Sequence, residues 1–475
     1  MKKSTYIRWG GALLLSVIVM LAFASHTSPT YSLLLGDYGS NSASAAILIG
    51  KSWAEGEALP YRDLFAMGGP LYFLLQAIGW FVAGRTGIWV LEVIGFTLFL
   101  GLTAGTMLRF LSNKTATAVC LLLSAIIFAA LSAAGDSTFE WGLPFIAGGF
   151  FIVLRPGKVC RCRDVSFLGL LCGCVLLIDF RSGGLLYGAA LWAVFWAPKE
   201  ENSIIWKRLI CCFMGVAVPV LIAVGAFAMT GSLIGMLQGT FLYPASALLS
   251  GFDSLQVIFH KGVKCLFLLP LLAAGILRMA REKQTNSLGT CVLLSGIVCG
   301  LLLLCGDNRW YYYLAALPAV PLGIALLCPS KWSLSCIAAR GVSILLMLGL
   351  CATPFKNTIC FLWTGIPDVI YEFYEDAQSF ESEHPGYRYI ALDTDCSYFL
   401  LLDKLPDCRY FTDQTELSSY DPAIAETVEG YLNGEPVDIL FITERGYIGR
   451  ELDKYTLIQV YLKYGGSIFV YLPNE

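Results

Sequence analysis

Residues 208–230 read Arg-Leu-Ile-Cys-Cys-Phe-Met-Gly-Val-Ala-Val-Pro-Val-Leu-Ile-Ala-Val-Gly-Ala-Phe-Ala-Met-Thr. After Arg208 this stretch contains no charged residue. A helix needs about 20 such residues to cross a hydrocarbon core of about 30 Å, so the stretch is long enough to span a membrane. Further long apolar runs lie at residues 87–108, 116–134, 288–305 and 334–353. The sequence therefore predicts a polytopic α-helical membrane protein.

The composition agrees with this prediction. The chain of 475 residues is 57% hydrophobic and 14% charged, and its mean hydropathy is +0.67. Because an ordinary soluble domain has about 25% charged residues, so few charges cannot cover a water-soluble surface. The net charge of −3 and the lack of a basic block argue against nucleic acid as a partner. The expected partner is a lipid bilayer.

Basic residues cluster in alternate connections between the apolar runs. These connections contain Arg109 and Lys114; Arg155, Lys158, Arg161 and Arg163; Lys199, Lys207 and Arg208; Arg278, Arg281 and Lys283; Lys331 and Arg340. The positive-inside rule assigns them to the cytoplasm. The polar connections at 135–140, 179–184, 231–260 and 306–310 and the tail after about residue 355 are then extracytoplasmic. The connections that contain most of the candidate catalytic and binding side chains are thus expected on one outer face.

The start of the chain and the span count leave alternatives. Lys2, Lys3 and Arg8 precede the apolar run 11–24, which favours an uncleaved first helix with a cytoplasmic N-terminus over a cleaved signal peptide. We expect 11–13 spans, and an odd number, because the tail is outside. If 70–84 and 87–110 are both full spans, the connections no longer alternate between the two sides of the membrane. One short segment between 43 and 110, or near 166–197, is therefore either no span or does not cross fully. Residues 43–54 predict a helix lying on the membrane surface.

The tail reads as a separate domain. Residues 389–392, 437–442 and 467–472 are typical of short buried strands, and 396–404 and 422–433 are typical of helices. This alternation predicts a small α/β domain over 356–475, after a helical domain over 1–355 whose first external loop is 28–69. Cys396 and Cys408 both lie in this domain, and the sequence leaves open whether they form a disulfide.

Several segments resemble a known family. Gly50-Lys51-Ser52-Trp53-Ala54-Glu55-Gly56, then Pro60-Tyr61-Arg62-Asp63-Leu64-Phe65 and Gly69-Pro70-Leu71-Tyr72-Phe73, resemble the first external loop of bacterial membrane glycosyltransferases of family 39 type. These enzymes have the GT-C fold and are related to protein O-mannosyltransferases and aminoarabinose transferases. Residues 138–145 resemble the family's Thr-Glu-Glu-x-x-Leu-Pro-Phe segment, and 306–313 with Pro318 resemble its late external segment. The tail resembles the external domain of the same subgroup.

The resemblance implies a reaction. Such an enzyme moves a sugar from a polyprenyl-phosphate donor to a glycan, lipid or protein acceptor on the outer face of the cell membrane. A carboxylate in the first external loop deprotonates or orients the acceptor hydroxyl. The leaving phosphate needs positive charge, from arginine or from a divalent cation such as Mg²⁺ or Mn²⁺. The resemblance leaves the use of a metal, and its ligands, open.

The resemblance also suggests catalytic residues. The acid of the family falls near Ser42, beside Asn41, and neither side chain can act as a carboxylate base. The nearest carboxylate is Asp37, which is therefore the candidate base; the alternative is a turn-forming residue before Gly39. Glu140 is the second candidate, because a carboxylate beside an apolar helix is costly unless it is paired or functional. Phe139 stands where the family has the first acid of its pair.

Candidate substrate-binding residues lie on the same outer connections, namely Arg62, Asp63, Asp136, Arg181, Arg309 and Tyr311. For Arg62 and Asp63 the alternative is a local ion pair or a helix cap. For the two other arginines and the tyrosine it is anchoring at the membrane interface.

Two function classes remain. One is a glycosyltransferase that uses a polyprenyl-phosphate sugar. The other is a catalytically inactive GT-C-like protein or a transporter of lipid-linked glycans, for which internal repeats with broken helices would be expected. The sequence has no convincing repeat, so the enzyme is favoured.

Overall fold

The structure is a computed structural model. In the helical part it describes residue 14 and residues 41–111, 114–131, 136–155, 159–198, 205–250, 261–263, 265–281, 287–305 and 310–327. In the tail it describes 375–376, 378–379, 382–383, 387–393, 396, 399–400, 402–433, 437–443, 452–463 and 466–474. The predicted boundary at 355/356 lies outside these residues.

The described helical part contains the following helices. They are α1 (Asn41–Glu55), α2 (Pro70–Met107), α3 (Lys114–Leu131), α4 (Thr138–Val153), α5 (Cys162–Asp179), α6 (Gly184–Phe195), α7 (Ile205–Met229), α8 (Leu233–Leu237), α9 (Tyr243–Ser250), α10 (Leu269–Arg281), α11 (Ser287–Cys305) and α12 (Ala319–Leu326). Short 3₁₀ segments lie at Phe180–Gly183, Leu266–Leu268 and Trp310–Ala316, and a π-helical turn lies at Gln238–Leu242.

Five stretches of this part are long and apolar enough to cross a membrane: Pro70–Met107, Cys162–Phe195, Ile205–Met229, Lys261–Ala280 and Leu288–Cys305. Shorter apolar helices include Thr138–Val153 and Tyr312–Leu326. The α7 helix shows why these are membrane helices, since it exposes Phe213, Leu221 and Ile222 by 65% or more. A surface this apolar is suited to lipid and not to water. The predicted class, a multi-pass helical membrane protein, is confirmed.

The α2 helix is folded back on itself. Ala83 and Gly84 leave the helical conformation, and Gly84 has a φ of 58°. A Cβ on Gly87 would lie 2.0 Å from the carbonyl oxygen of Gly79, so the arms 70–82 and 85–107 pack against each other as a hairpin. The first arm is about 20 Å long, too short for a span of about 30 Å. The two full spans predicted at 70–84 and 87–110 are therefore one short arm and one long arm.

The first arm stays at one end of the bundle. At its start, the amide of Gly69 donates to the carbonyl of Ile178 at the end of α5, at 3.0 Å. At its tip, Arg85 donates to the carbonyl of Leu400 in the tail, at 2.9 Å. Both contacts are on the side of the C-terminal domain, so this arm is the short segment that the alternation of the spans required.

Three arginines mark the opposite end of the bundle, where each donates to carbonyls at the C-terminus of a neighbouring helix. Arg109 donates to Phe151 and Leu154 at the end of α4, Arg208 donates to Ala193, Ala197 and Pro198 at the end of α6 and also to Cys160 just before α5, and Arg278 donates to Leu326 in α12. Terminal carbonyls lack partners within their own helix, and the helix dipole favours a cation there. Arg109, Arg208 and Arg278, which belong to three of the basic connections predicted to share one side, do lie at one end.

Glycines allow close contact between helices. A Cβ on Gly215 of α7 would lie 2.0 Å from the carbonyl oxygen of Ser166 in α5, and one on Gly169 of α5 would lie 2.2 Å from that of Cys212. Gly169 and Gly173 are four residues apart and both face α7, the small-residue spacing common at membrane helix interfaces. The α6 helix uses Gly184 and Gly188 in the same way against α11.

The tail forms a small α/β domain, as predicted. Its elements are β1 (Tyr389–Leu392), α13 (Gln414–Tyr420), α14 (Pro422–Asn433), β2 (Ile439–Thr443), β3 (Tyr455–Lys463) and β4 (Gly466–Pro473). The sheet order is β1-β2-β4-β3, with β1 and β2 parallel and the other pairs antiparallel. Strand β3 and helix α13 were not predicted from the sequence. The predicted helix 396–404 is wrong at its end, because residues 402–403 form a turn. Cys396 and Cys408 are both buried, and no disulfide joins them.

The C-terminal domain shares one hydrophobic core with the first loop. This core joins Ile47, Phe65 and Tyr72 to Phe411 and Ile439 of the domain. The α1 helix is part of it, because residues 43–52 are buried. The helix predicted at 43–54 is therefore confirmed, but its placement on the membrane surface is wrong: its apolar side chains pack against protein.

Candidate functional site

A polar cleft of about 770 Å³, counting the solvent at its mouth, lies between the helical bundle and the C-terminal domain. The first loop, the outer ends of α4 and α5, the π-helical turn and the start of α13 all contribute to it. Its polar lining residues are Thr138, Asp179, Arg181, Thr240, Tyr312, Asp413 and Glu416. Concave sites with a few convergent polar groups are the usual places for ligands.

Asp179 and Arg181 form a closed pair on the cleft wall. Arg181 donates from Nε to Oδ1 of Asp179 at 3.0 Å and from a terminal nitrogen to Oδ2 at 2.8 Å. The hydroxyl of Thr138 also donates to Oδ2, at 3.0 Å. Arg181 further donates to the hydroxyl of Tyr312 at 3.2 Å and lies over its ring. The side chains of Asp179 and Arg181 are 5% and 18% exposed, so this pair is largely shielded from water.

Short helices set the floor of the cleft back from the end of α7. The lengths of α4, α5 and α6 correspond to about 24 Å, about 27 Å and about 18 Å. All three are shorter than a hydrocarbon core of about 30 Å, whereas the α7 helix is about 37 Å long. Because α5 and α7 run side by side from the arginine-marked end, the cleft-side end of α5 lies further inside the bundle than that of α7.

The C-terminal domain is fastened over the cleft by polar and aromatic contacts. Arg409 donates to the main-chain oxygen of Tyr61 at 2.7 Å, and the amide of Phe65 donates to the main-chain oxygen of Arg409 at 2.9 Å. Tyr243 donates to Asp421 at 2.9 Å. Lys51 and Asp403 form an ion pair. These contacts hold the start of α13 at the rim of the cleft.

Asp136 is the centre of a buried polar network beside the cleft. Its Oδ1 accepts hydrogen bonds of 2.6 Å from both Gln76 and Trp141, and its amide donates to Glu92 at 3.0 Å. Its φ is 52°, a left-handed conformation that Asp adopts more readily than most residues. Burial, and then the charge of Glu92, raise the pKa of Asp136 well above 3.8. Asp136 shapes the turn that starts α4 and does not line the cleft, so its predicted contact with substrate stays a prediction.

Glu140 is placed on the inner side of the first turn of α4. It is 2% exposed, and the charges of Glu92 and Asp136 act on it. Glu140 does not line the cleft, and its side chain is packed behind the cleft wall. Its predicted catalytic role stays a prediction.

The remaining predicted residues have different outcomes. Arg62 pairs with Asp63 at 2.9 Å, and Asp63 accepts the amide of Leu59 at 2.8 Å, so these two close a turn and do not line the cleft. Arg181 does line it, but it is already paired. Asp37 and Arg309 lie outside the described residues, as does the side chain of Tyr311.

Six of the seven polar lining residues, all except Arg181, were not predicted as site residues. Asp179 precedes Arg181 by two residues at a helix end, and an acid between apolar segments is itself a sign of function. Tyr312 belongs to the aromatic run in which Tyr311 was chosen. Asp413 and Glu416 reach the cleft only through the fold of the C-terminal domain, so no local pattern marks them.

A metal site is not evident in the described part of the chain. There, no group of three or more His, Cys, Asp or Glu side chains is arranged to hold a metal ion. The divalent cation that the resemblance left open stays a prediction.

Comparison with known proteins identifies the family. The family model described as "Putative competence-induced protein Ccs4 N-terminal domain" matches residues 3–331. The chain belongs to this family. The region matched by the Ccs4 N-terminal domain ends after the described helix α12, and the cleft residues Asp413 and Glu416 lie beyond it. No curated protein matches the sequence.

The fold of this Ccs4 family member is similar to that of a solved structure. It matches the crystal structure of ArnT from Cupriavidus metallidurans bound to undecaprenyl phosphate, with a TM-score of 0.60, 14% identity, and coverage of 97% of this chain and 98% of that chain. The apo structure of the same protein matches with a TM-score of 0.48, 13% identity and the same coverage. The liganded structure supports an ArnT-like GT-C fold. The closer relation to family 39 stays a prediction.

Proposed function

We propose that this protein is an integral membrane glycosyltransferase. It moves a sugar from a polyprenyl-phosphate donor to an acceptor at the membrane face that carries the C-terminal domain, which we take to be the outer face of the cell membrane. The observation that carries this proposal is the cleft itself: a polar site among the apolar helices of an ArnT-like GT-C fold, covered by the C-terminal α/β domain. A donor with a lipid tail and a polar head needs such a boundary.

The position of the cleft suits each part of the donor. The tail can remain among helices whose outer surfaces are apolar, as α7 illustrates with its exposed Phe213, Leu221 and Ile222. The phosphate and the sugar can then reach the recessed polar cleft without leaving the membrane. Positioning two reactants in this way contributes strongly to catalysis because it converts an encounter in solution into a reaction within one complex.

The base remains Asp37 in our proposal, on the strength of the resemblance. Asp179 supports the reaction in another way: its oxygens accept hydrogen bonds from Arg181 and Thr138, which keeps the cleft wall ordered. Such a pair can hold a guanidinium ready for the phosphate without leaving an uncompensated charge in a shielded place. We assign Asp179 to positioning.

The test is an assay with purified full-length protein and labelled polyprenyl-phosphate sugars. Release of free polyprenyl phosphate is the readout, because transfer to water is detected even when the acceptor is unknown. We expect turnover by the wild type, a loss of at least about 100-fold in Asp37→Asn, and a smaller loss in Asp179→Asn. Asp63→Asn is the matched control in the first loop and should retain activity, since Asp63 pairs only within its turn.

A second candidate function rests on one observation. Asp179 and Arg181 are already bonded to each other, which also suits a protein that binds or transports lipid-linked glycans without cleaving them. Binding of the labelled donor without any release, and with equal affinity in the wild type and Asp37→Asn, would favour this candidate over the enzyme.

A further inference from the structure

The first arm of α2, residues 70–82, exposes a row of large apolar side chains. Leu74, Ile78, Phe81 and Val82 are 39%, 43%, 80% and 71% exposed. Residues spaced by three or four positions lie on the same side of a helix, so these four side chains form one surface. We call this surface the arm stripe.

The hydrogen-bonding side chains of the arm are turned toward the protein. The hydroxyl of Tyr72 donates to the main-chain oxygen of Asp136 at 2.5 Å, and Gln76 donates to Oδ1 of Asp136 at 2.6 Å. The ring nitrogen of Trp80 donates to Glu55 at 2.9 Å. A helix that borders water has the opposite arrangement, with its apolar face against the protein and its polar face outside. The arm is therefore built to lie between protein and an apolar medium.

The charges around the arm lie at its ends. Residues 64–84 contain no charged side chain, whereas an ordinary soluble domain has about 25% charged residues. The first charge after this segment is Arg85 at the tip, which donates to the carbonyl of Leu400 in the C-terminal domain at 2.9 Å. Water is thus an unsuitable partner for the arm stripe.

Lipid already adjoins the neighbouring part of the same hairpin. In the second arm, Val90, Ile94 and Leu98 are exposed at a spacing of four residues. This arm belongs to the stretch Pro70–Met107, which is long and apolar enough to cross a membrane. Because the two arms pack against each other, lipid that surrounds the second arm also adjoins the first.

We propose that the arm stripe is a membrane-docking surface whose partner is the acyl chains of bilayer lipids. The arm contacts the bilayer without crossing it. It takes the place of the surface helix that the sequence predicted at 43–54. Gly69, which begins the arm, lines the cleft, so docking attaches the first loop to the bilayer beside the cleft. The inference needs the membrane fold but not the proposed transfer reaction.

The test is photo-crosslinking in a bilayer. Phe81→benzoylphenylalanine places a benzophenone at the most exposed position of the stripe, in full-length protein reconstituted into vesicles of dioleoyl phosphatidylcholine. After irradiation, lipid adducts are measured by mass spectrometry as additions to the peptide that carries the probe. The same probe at Phe213 of α7, which is 69% exposed, is the positive control.

A pair of isoleucines provides a control matched in residue type and exposure. Ile78 in the arm and Ile458 in β3 of the C-terminal domain are both 43% exposed. We expect lipid adducts at Phe81 and Ile78 with yields comparable to that at Phe213, and a loss of lipid adducts at Ile458. Exposure alone would give Ile78 and Ile458 the same yield, so the difference between them reports the bilayer.

Lipid adducts at Phe213 but at neither arm position would overturn the proposal, as would equal yields at Ile78 and Ile458. A cross-link from Phe81 to a second copy of the chain, in place of lipid, would also overturn it. Should Phe81→benzoylphenylalanine not fold, the pair of isoleucines gives the same test. Lipid adducts at the arm without release of polyprenyl phosphate would reject the proposed function alone, and release without these adducts would reject the docking surface alone.

Discussion

Arg409 of the C-terminal domain donates a hydrogen bond of 2.7 Å to the main-chain oxygen of Tyr61 in the first loop. Its guanidinium also lies over the rings of Phe65 and Tyr410, at 5.8 and 5.2 Å. Tyr61 is fully buried. Two segments separated by 348 residues are thus joined where they enclose the cleft.

Replacing Arg409 should loosen this junction. We expect Arg409→Gln to lower the free energy of unfolding by about 1.5–3 kcal/mol, since a hydrogen bond from a charged donor to a buried carbonyl is lost. The measurement is thermal unfolding in detergent. Arg62→Gln is the control, because Arg62 is an exposed cation of the same loop and a solvent-screened ion pair contributes little to stability. Equal losses in both variants would contradict this view of the junction.

Arg208 should be needed for the stability of the bundle. It is fully buried and donates to four carbonyls around the ends of α5 and α6. We expect Arg208→Gln to cost about 3 kcal/mol or more, because several carbonyls lose their partner at once. Arg163→Gln, an exposed arginine at the same end, should change the unfolding midpoint little. If both substitutions lower the unfolding midpoint by the same small amount, water satisfies the four carbonyls in place of Arg208 without a loss of stability.

The packing of α5 against α7 gives a test with a matched control on one helix. Gly215→Ala would bring a Cβ to 2.0 Å from the carbonyl oxygen of Ser166, so the helices must separate. We expect a loss of about 1–3 kcal/mol. Gly225→Ala, where no atom lies within 4 Å, should be neutral or stabilising by about 1 kcal/mol, because alanine favours the helix. Similar unfolding midpoints for the two variants would rule out this close contact.

The raised pKa of Asp136 predicts a dependence of stability on pH. The folded state holds this proton more tightly than the unfolded chain, so the stabilisation is complete below pH 3.8 and is lost as the pH rises through the raised pKa. Asp136→Asn keeps an acceptor for Gln76 and Trp141. It should make the unfolding midpoint less dependent on pH between pH 3.8 and the raised pKa.

The control for this prediction is Asp63→Asn. Arg62 lowers the pKa of Asp63, so its contribution is present above pH 3.8 and is lost as the pH falls. Removing the Asp63 carboxylate should leave the loss of stability at high pH unchanged. Unfolding midpoints of the wild type and both variants from about pH 4 to about pH 9 provide the measurement. A decline that is as steep in Asp136→Asn as in the wild type would remove Asp136 as its source.

Hydrophobic patterning was enough to predict the membrane helices and the α/β tail, because both depend on local composition. It also placed the polar connections at one end of the bundle. Patterning could not distinguish the arm 70–82 from a full span: its apolar residues look like those of a span, and only the turn at Gly84 and the contact between Gly79 and Gly87 show that it returns.

The candidate site was harder to predict from the sequence, since its parts come from distant segments. Arg181 could be chosen because it stands at a helix end, but its partner Tyr312 lies 131 residues later. Glu140 was predicted as functional because a carboxylate in apolar surroundings lowers stability unless it is paired or has a function. The side of the helix on which it lies depends on the turn at Asp136, which local sequence does not specify.

The short helices α5 and α6, which expose Phe167, Leu191 and Phe195, also create a hydrophobic mismatch. A bilayer of ordinary thickness must thin beside them or leave polar groups within its hydrocarbon layer, and either adjustment has a cost that grows with the mismatch. Lipids with shorter acyl chains should therefore gather at this part of the protein. In bilayers of long-chain lipids the cleft would sink further from water, which would make acyl-chain length a regulator of how readily a water-borne molecule meets a lipid-borne one.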